Sequence, residues 1–225
     1  MRRAAFLLGL GLLLAPLSLG AQELTKPAFR QRLSVGVHGG VLASRFSFVP
    51  TVSQRLHIGN MLGAKLRYDV ERGASLQLEV NAVQAGWQEK YDAASTSYTR
   101  DLSYIETPLL AHLYLGQGSS RIFVNAGPFV GYALSERSTS SGEANMSAAA
   151  LARHAKAIES RFFWGLGGGP GISIGIGEHH RLELEGRFVY GFGNIWNADR
   201  TNSAETYVQS SEMRFGGFLS YLFYF

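Results

Sequence analysis

The 225-residue chain contains no cysteine, so neither disulfide bonds nor thiolate metal sites can hold its fold together. Beyond its first twenty or so residues it also lacks any unbroken apolar stretch long enough for a transmembrane helix. Its formal net charge of +4 falls to +2 without Arg2 and Arg3, which is too weak to indicate a nucleic-acid-binding protein. The fold must therefore be closed by backbone hydrogen bonds and packing alone.

The start of the chain has the composition of a secretory signal peptide. Two arginines precede an apolar run that contains Pro16 and is short for a bilayer span. We predict cleavage after Ala21, with cleavage after Gly20 as the alternative. The expected domains are a signal peptide at 1–21 and one domain of about 204 residues at 22–225.

Most of the remaining chain alternates apolar with polar or small residues, which is the pattern of β-strands with one apolar face. A stripe of this kind would be an aggregation hazard on a soluble sheet edge, whereas a closed barrel in a bilayer covers it with lipid. The mean hydropathy of 0.00 suits such a barrel, because half of each strand faces a polar interior. At the end of the chain, we predict that the outward stripe is also the signal read by the barrel-assembly machinery: Leu219, Tyr221, Phe223 and Phe225.

Eight alternating segments can be assigned, in four hairpin-like pairs. They lie at about 33–41, 62–70, 75–82, 102–115, 122–132, 162–176, 182–190 and 213–225. The apolar phase slips after Ala82, so that Val83 and Trp87 share the other face, which predicts a β-bulge at 82–84. Pro108 cannot donate to a ladder, which predicts a bulge or a local gap in strand pairing.

The connections between these segments alternate in length. Short turns at 71–73, 116–120 and 178–180 separate long connections at 43–60, 88–101, 135–161 and 197–211. Transmembrane barrels have short turns on the periplasmic side and long loops outside. We therefore predict an all-β fold, an eight-stranded antiparallel up-and-down transmembrane β-barrel with short periplasmic turns and long extracellular loops. The Ala-rich stretch 145–158 predicts a short helix capped by Asn145 or Ser147.

The face opposite the apolar stripe carries nearly balanced charges. An eight-stranded barrel is only wide enough inside for side chains, so charges there must be paired and hydrogen-bonded. We therefore predict a side-chain-filled lumen with a structural charge network of Lys65, Arg67, Glu79, Glu106, His112, Glu183, Glu185, Arg187, Glu212 and Arg214. A soluble lipocalin-like carrier of a lipophilic ligand, with the apolar residues inside, would give the same alternation and stays open.

The sequence offers weak candidates for catalytic and metal-binding groups. His112 shares a face with Glu106 and could belong to a serine–histidine–acid set, but a lumen histidine that bridges charges explains it as well. His179 and His180 are adjacent in a turn and would chelate a metal poorly. The glycines at 165–171 lack the lysine and the helix of a phosphate loop. We expect no catalytic, cofactor-binding or metal site, and a lipid-modifying barrel enzyme is the alternative.

Five stretches share further residues with a known family. They are Gly-Val-His-Gly-Gly at 36–40, Ser-Tyr-Ile-Glu-Thr-Pro-Leu-Leu at 103–110, Asn-Ala-Gly-Pro-Phe-Val-Gly-Tyr at 125–132, the glycine-rich 164–172 and Tyr-Gly-Phe-Gly-Asn-Ile at 190–195. Together they resemble the PorT-like outer-membrane β-barrel family, and the second and third are the most specific. The resemblance implies an eight-stranded barrel in the outer membrane. Most family members lack an assigned activity, and the founding member is implicated in protein secretion.

The expected function is that of an integral outer-membrane barrel with a structural or interaction role and no enzymatic activity, linked by the resemblance to envelope assembly or protein secretion. Its expected partners are outer-membrane lipid and the barrel-assembly machinery, and the extracellular loops are the candidate site for a protein partner. We expect a monomer that uses no cofactor and binds no nucleic acid.

Overall fold

The computed structural model describes residues 29–116, 118–196 and 209–225. The predicted signal peptide at 1–21 and most of the predicted connection at 197–211 lie outside the described residues. The chain divides into two units, Met1–Arg30 and Gln31–Phe225. Only residues 29 and 30 of the first unit are described, and the second unit contains every element discussed below.

The described residues form nine β-strands and two short helical segments. The strands are β1 Leu33–Val49, β2 Gln54–Arg55, β3 His57–Glu71, β4 Ala74–Lys90, β5 Ser97–Leu115, β6 Ser120–Ser141, β7 Phe162–Ile176, β8 His180–Gly191 and β9 Gln209–Tyr224. A 3-10 helix at Glu143–Asn145 and helix α1 at Ala148–Ala155 lie between β6 and β7.

Eight of these strands close into an antiparallel barrel in the order β1-β3-β4-β5-β6-β7-β8-β9, with β9 pairing back to β1. The two-residue β2 pairs with the end of β4 outside this ring. The predicted eight-stranded all-β barrel is therefore confirmed. The first and last ring strands meet over a long ladder from Ser34–Tyr224 to Val49–Gln209, so the barrel has no open edge at the closure.

Side chains in the barrel wall alternate between the two faces. Outward residues are apolar and exposed, with Leu62 at 67% and Val80 at 53%, whereas inward Glu79 is 1% exposed. This is the reverse of a lipocalin-like carrier, in which the apolar set would face inward, so that alternative is excluded. On β3 the outward apolar residues from Leu62 to Val70 cover roughly 20 Å of barrel height at a rise of about 3.3 Å and a tilt of about 40°. We call this outward surface the apolar belt.

Two of the predicted long connections are wrong. Most of 43–60 and 88–101 is strand, and the actual connections are 50–56, which contains β2, and 91–96. Beyond the apolar belt the inward residues become apolar and the outward residues become polar, so the hydrophobic pattern changes phase while the strand continues. The predicted connection at 135–161 is long, although β6 continues to Ser141 and takes up its first seven residues. Of the predicted connection at 197–211, the described residues 209–211 belong to β9.

The same change of interior explains the apparent phase slip in β4. The ladders from β4 to β3 and to β5 run through Ala82–Gln84 without a register shift, so the predicted bulge at 82–84 is wrong. Val83 and Trp87 face inward, where they are 2% and 1% exposed. The predicted gap at Pro108 is confirmed, because the β4–β5 ladder skips this residue between Leu109 and Glu106.

Candidate functional site

The lumen nearest the short turns is filled by an arginine–glutamate pair. Arg67 on β3 donates two hydrogen bonds to Glu183 on β8, at 2.6 and 2.7 Å. The same guanidinium donates to Gln77 at 2.8 and 2.5 Å, and the Ser173 hydroxyl donates to Glu183 at 3.2 Å. Both charged residues are 1% exposed, so the pair is sealed from solvent. A buried bidentate pair of this kind replaces the lost hydration with fixed hydrogen bonds.

A second layer places one arginine between two carboxylates. Arg187 donates to both oxygens of Glu79 at 2.7 and 2.8 Å and to both oxygens of Glu185 at 2.7 and 2.9 Å. Lys65 lies 3.9 Å from Glu79 and donates to the hydroxyl of Ser220 at 2.9 Å. Two positive and two negative groups therefore meet in this layer, and their formal charges balance.

A third layer lies nearer the long connections. Arg214 donates to Glu106 at 2.6 Å and approaches Glu212 to 3.4 Å, and the Tyr104 hydroxyl donates to Glu212 at 2.6 Å. A cavity between this layer and the second has a volume of only about 10 Å³, which is room for at most one water molecule. The three layers together block the middle of the barrel.

All ten residues predicted for the charge network lie buried inside the barrel, at 1–7% exposure. His112 differs from the others, because the contact it makes is to a neutral group: its Nδ1 lies 2.7 Å from the Asn125 amide oxygen. Its ring also packs 4.8 Å from Phe123. The predicted bridge between charges is thus replaced by an amide contact.

Neutral members of the network escaped the sequence analysis. Gln77 donates to Glu79 at 2.6 Å, and Asn81 donates to Glu79 at 3.0 Å and to Glu106 at 3.4 Å, so the layers are connected. Both residues are fully buried. Both residues alternate in phase with Glu79 on β4, and this phase could have identified them as lumen residues. The network predicted from the sequence contained only charged residues and His112.

Above the ionic layers the interior is aromatic. Trp87 lies at the centre, with ring centroids 4.9 Å from Phe46, 5.1 Å from Phe48 and 5.7 Å from Trp196. All four rings are at most 3% exposed. Aromatic pairs at these separations stabilise a core beyond the burial of their area, so this cluster forms an apolar plug.

Helix α1 and the chain after it cover the aromatic cluster. Ser147 caps the helix by accepting a hydrogen bond from the Ala150 N–H at 3.2 Å, which confirms the predicted helix and one of its two predicted caps. Arg100 donates to the carbonyls of His154 at 2.5 Å and Lys156 at 2.8 Å. We call residues 142–161 the cap. The hydrogen bonds from Arg100 hold this connection over the mouth of the barrel.

A second set of contacts joins the cap to the end of β4 and the start of β5. His154 stacks on Tyr98 with centroids 3.5 Å apart, and its Nε2 lies 3.1 Å from Glu89. Glu89 stands seven positions beyond Ala82, outside the apolar belt. Burial alone would raise the pKa of Glu89, but hydrogen bonds from His154 and Tyr91 outweigh burial and hold the pKa below its usual value.

Among the described residues no three His, Asp or Glu side chains are arranged to hold a metal ion. The described residues also form no helix that is both long and apolar enough to cross a membrane. His179 contacts the Tyr224 carbonyl at 3.1 Å, and His180 contacts the Tyr221 hydroxyl at 2.5 Å. These two histidines are thus engaged with β9 separately, as their divergence in the turn predicted.

The predicted assembly-signal residues lie on the outer face of the last strand and at its end. Leu219 is 60% exposed, Tyr221 42% and Phe225 67%, and the rings of Phe223 and Phe225 are 5.3 Å apart. Outward placement leaves the stripe accessible to lipid. Its recognition by the assembly machinery stays a prediction.

The comparisons with known proteins agree with this geometry. A model described as the outer membrane protein beta-barrel domain matches residues 21–197, which is well over half of the chain. The chain belongs to this outer-membrane β-barrel family. The family and the apolar belt together assign the protein to the cell outer membrane. A search of curated protein sequences gave no significant match.

Among solved structures, this outer-membrane barrel is similar to OprG from Pseudomonas aeruginosa, with a TM-score of 0.51 and 13% identity over 85% of this chain and 95% of that one. It is also similar to the N-terminal β-barrel domain of Pseudomonas aeruginosa OprF (TM-score 0.46, 12% identity, 87% and 100% covered). A third similar structure is Neisserial surface protein A (TM-score 0.47, 14% identity, 84% and 95% covered). At these identities the likeness to OprG concerns the fold.

Proposed function

We propose that the protein is a closed, non-enzymatic outer-membrane barrel with a structural or interaction role, and that its cap is the surface offered to a partner. The observation that carries this proposal is the lumen, which is filled by three ionic layers and then by the aromatic cluster around Trp87. A barrel filled in this way has no continuous aqueous path for a solute, and its described residues converge on no set of reactive groups.

The proposal includes an orientation. Both ends of the described barrel and the short turns at 72–73 and 177–179 lie at one rim, and the cap lies at the other. Bacterial barrels keep short turns in the periplasm, so the cap faces outward. The proposal also includes export by a signal peptide at 1–21, insertion by the barrel-assembly machinery, and a monomeric state with no nucleic acid partner.

Two measurements test this function. In planar bilayers the purified protein is expected to give no steady large conductance, and a wide, long-lived open pore would contradict the filled lumen. On intact cells trypsin is expected to cut near Arg153 or Lys156 in the cap and to spare Arg72. Permeabilised cells are the matched control, because Arg72 then becomes accessible. Cleavage at Arg72 alone in intact cells would show that the barrel is inverted.

A role in envelope assembly or protein secretion is the finer part of the proposal. It is supported by the resemblance of 103–110 and 125–132 to the PorT-like barrels. A deletion strain is expected to lose secreted or surface-attached proteins while its lipid profile is unchanged. An altered lipid profile with normal secretion would favour the lipid-modifying enzyme instead.

A further inference from the structure

The outer surface of the barrel has a polar recess just above the apolar belt, on the side formed by β3 to β6. Its volume is about 440 Å³, and it is lined mainly by outward polar residues of four neighbouring strands, together with the apolar Ile58 and Leu102 and with Glu136. The strand register places Asn60, Gln84, Ser103 and Ser135 side by side in one row, because each pairs with the next across the ladders. Asp101 and Arg137 are cross-strand neighbours in the β5–β6 ladder, farther from the belt.

The position of this recess relative to the membrane follows from the row directly below it. In that row Leu62, Ala82, Ile105, Tyr132 and Phe162 are successive cross-strand partners. These residues are apolar or aromatic, and Leu62 and Phe162 are 67% and 56% exposed. Aromatic side chains mark the bilayer interface in transmembrane barrels. The recess therefore lies at the level of lipid headgroups, and its floor continues into the surface that contacts lipid chains.

The recess offers hydrogen-bonding groups that the described part of the chain leaves unused. The side chains of Ser103, Ser135 and Arg137 have no hydrogen-bond or ionic partner among the described residues, and Gln84 accepts from Asn60 at 3.1 Å while its own amide N–H groups remain available. Asp101 is engaged by His57, whose Nε2 lies 2.6 Å from one carboxylate oxygen. The wall thus combines the guanidinium of Arg137 and several neutral donors with two carboxylates, Asp101 and Glu136, the second of which is paired with Arg100.

We propose that this recess binds the headgroup of a phosphorylated sugar lipid. Arg137 would donate to the phosphate, because a guanidinium matches phosphate oxygens in a bidentate manner. Gln84, Ser103 and Ser135 would donate to sugar hydroxyls, and the free oxygen of Asp101 would accept from one. The lipid chains would follow Leu62 and Ile105 down the apolar belt.

The charge balance favours such a lipid over a free anion. Asp101 offsets much of the attraction that Arg137 exerts on bare inorganic phosphate, whereas a sugar hydroxyl is a suitable donor to the same carboxylate. A volume of about 440 Å³ also fits a ring-sized polar group within the usual range for ligand sites. The assignment to the outer leaflet rests on the proposed orientation, but binding itself does not.

The test is a titration of the detergent-solubilised full-length protein with lipid A, a phosphorylated disaccharide lipid, followed by native mass spectrometry. Arg137→Gln is expected to weaken binding about tenfold, as the loss of a charge-assisted contact implies. The double variant Gln84→Ala/Ser103→Ala is expected to weaken it about fivefold or more through lost neutral hydrogen bonds. Arg45→Gln is the matched control, because Arg45 is also an exposed outward arginine beyond the belt but does not line the recess.

Folding of each variant is checked by circular dichroism and by heat-dependent mobility on gels. Equal binding by wild type, Arg137→Gln and the double variant would overturn the proposal, as would an equal loss in Arg45→Gln. Displacement of lipid A by millimolar inorganic phosphate would show a free-anion site and would also overturn it. Because the titration is done in detergent, its result is independent of the conductance and orientation on which the proposed function depends.

Discussion

The ion pair between Arg67 and Glu183 allows a quantitative test of how the lumen is stabilised. Arg67→Met removes both hydrogen bonds to Glu183 and leaves that carboxylate, 1% exposed, with the Ser173 hydroxyl as its remaining donor within its layer. Two charge-assisted hydrogen bonds at about 1.5–3 kcal/mol each sum to about 3–6 kcal/mol. This range agrees with the 3–5 kcal/mol cost of leaving one buried charge unpaired.

The double variant separates pairing from packing. Arg67→Met/Glu183→Gln removes both charges and keeps similar side-chain volumes, so it is expected to lose only about 0–2 kcal/mol relative to wild type. The two single variants should therefore be much less stable than the double variant, with a coupling free energy of about 3 kcal/mol or more.

The assay is equilibrium unfolding in urea from lipid vesicles, followed by tryptophan fluorescence and by gel mobility. Trp87 and Trp196 report on the aromatic cluster, above the ionic layers, so their signal measures global unfolding rather than a local change at Arg67. A single variant that loses less than about 1 kcal/mol would show that this pair is hydrated. A double variant as unstable as the sum of the two singles would refute pairing as the source of the stability.

Three further predictions concern the cap. Arg100→Ala removes two charge-assisted hydrogen bonds to cap carbonyls, so the free energy of opening the cap should fall by about 3 kcal/mol or more. The expected result is faster proteolysis within 142–161 while the barrel stays folded. Unchanged cleavage would show that other contacts hold the cap. Because the pKa of Glu89 is lowered in the folded state, its stabilising contribution is present above the ordinary glutamate pKa of about 4.3 and is lost as the pH falls through the lowered value. The hydrogen-exchange protection factors of the cap amides, which compare the observed rate with the intrinsic rate at each pH, should therefore decrease as the pH falls below about 4.3, and Glu89→Gln, the control, should not show this decrease. Ser147→Ala removes the N-cap of α1 and should cost about 1 kcal/mol of local helix stability, read from hydrogen exchange at 148–155, whereas unchanged exchange there would show that packing of Ala150 alone holds the helix.

The strands inside the apolar belt could be recognised from the sequence, since a period of two is a property of the extended backbone and needs no knowledge of neighbours. Outside the belt the same criterion failed. Phe46, Phe48 and Trp87 are inward residues that are apolar rather than polar, so the first strand was predicted to end near 41 and the third to slip in phase after Ala82. The hydrophobic pattern reports which face meets which medium, and both media change where the barrel leaves the membrane.

By itself, the sequence predicted eight strands with one apolar and one polar, charged face, and a short helix capped by Asn145 or Ser147 in the connection at 135–161, whereas the structure decided that the charges face inward and that Ser147 is the cap. The predicted properties follow from local alternation and local capping. Only the tertiary structure decided which acid meets which base, because Arg67 and Glu183 are 116 positions apart and Arg187 and Glu79 are 108 apart. Barrel closure brings such pairs together through the register of several ladders, and no local pattern contains that register. The same is true of Arg100 and the cap carbonyls, and of the recess at Gln84 and Ser103, which exists only because four strands align their polar residues in one row.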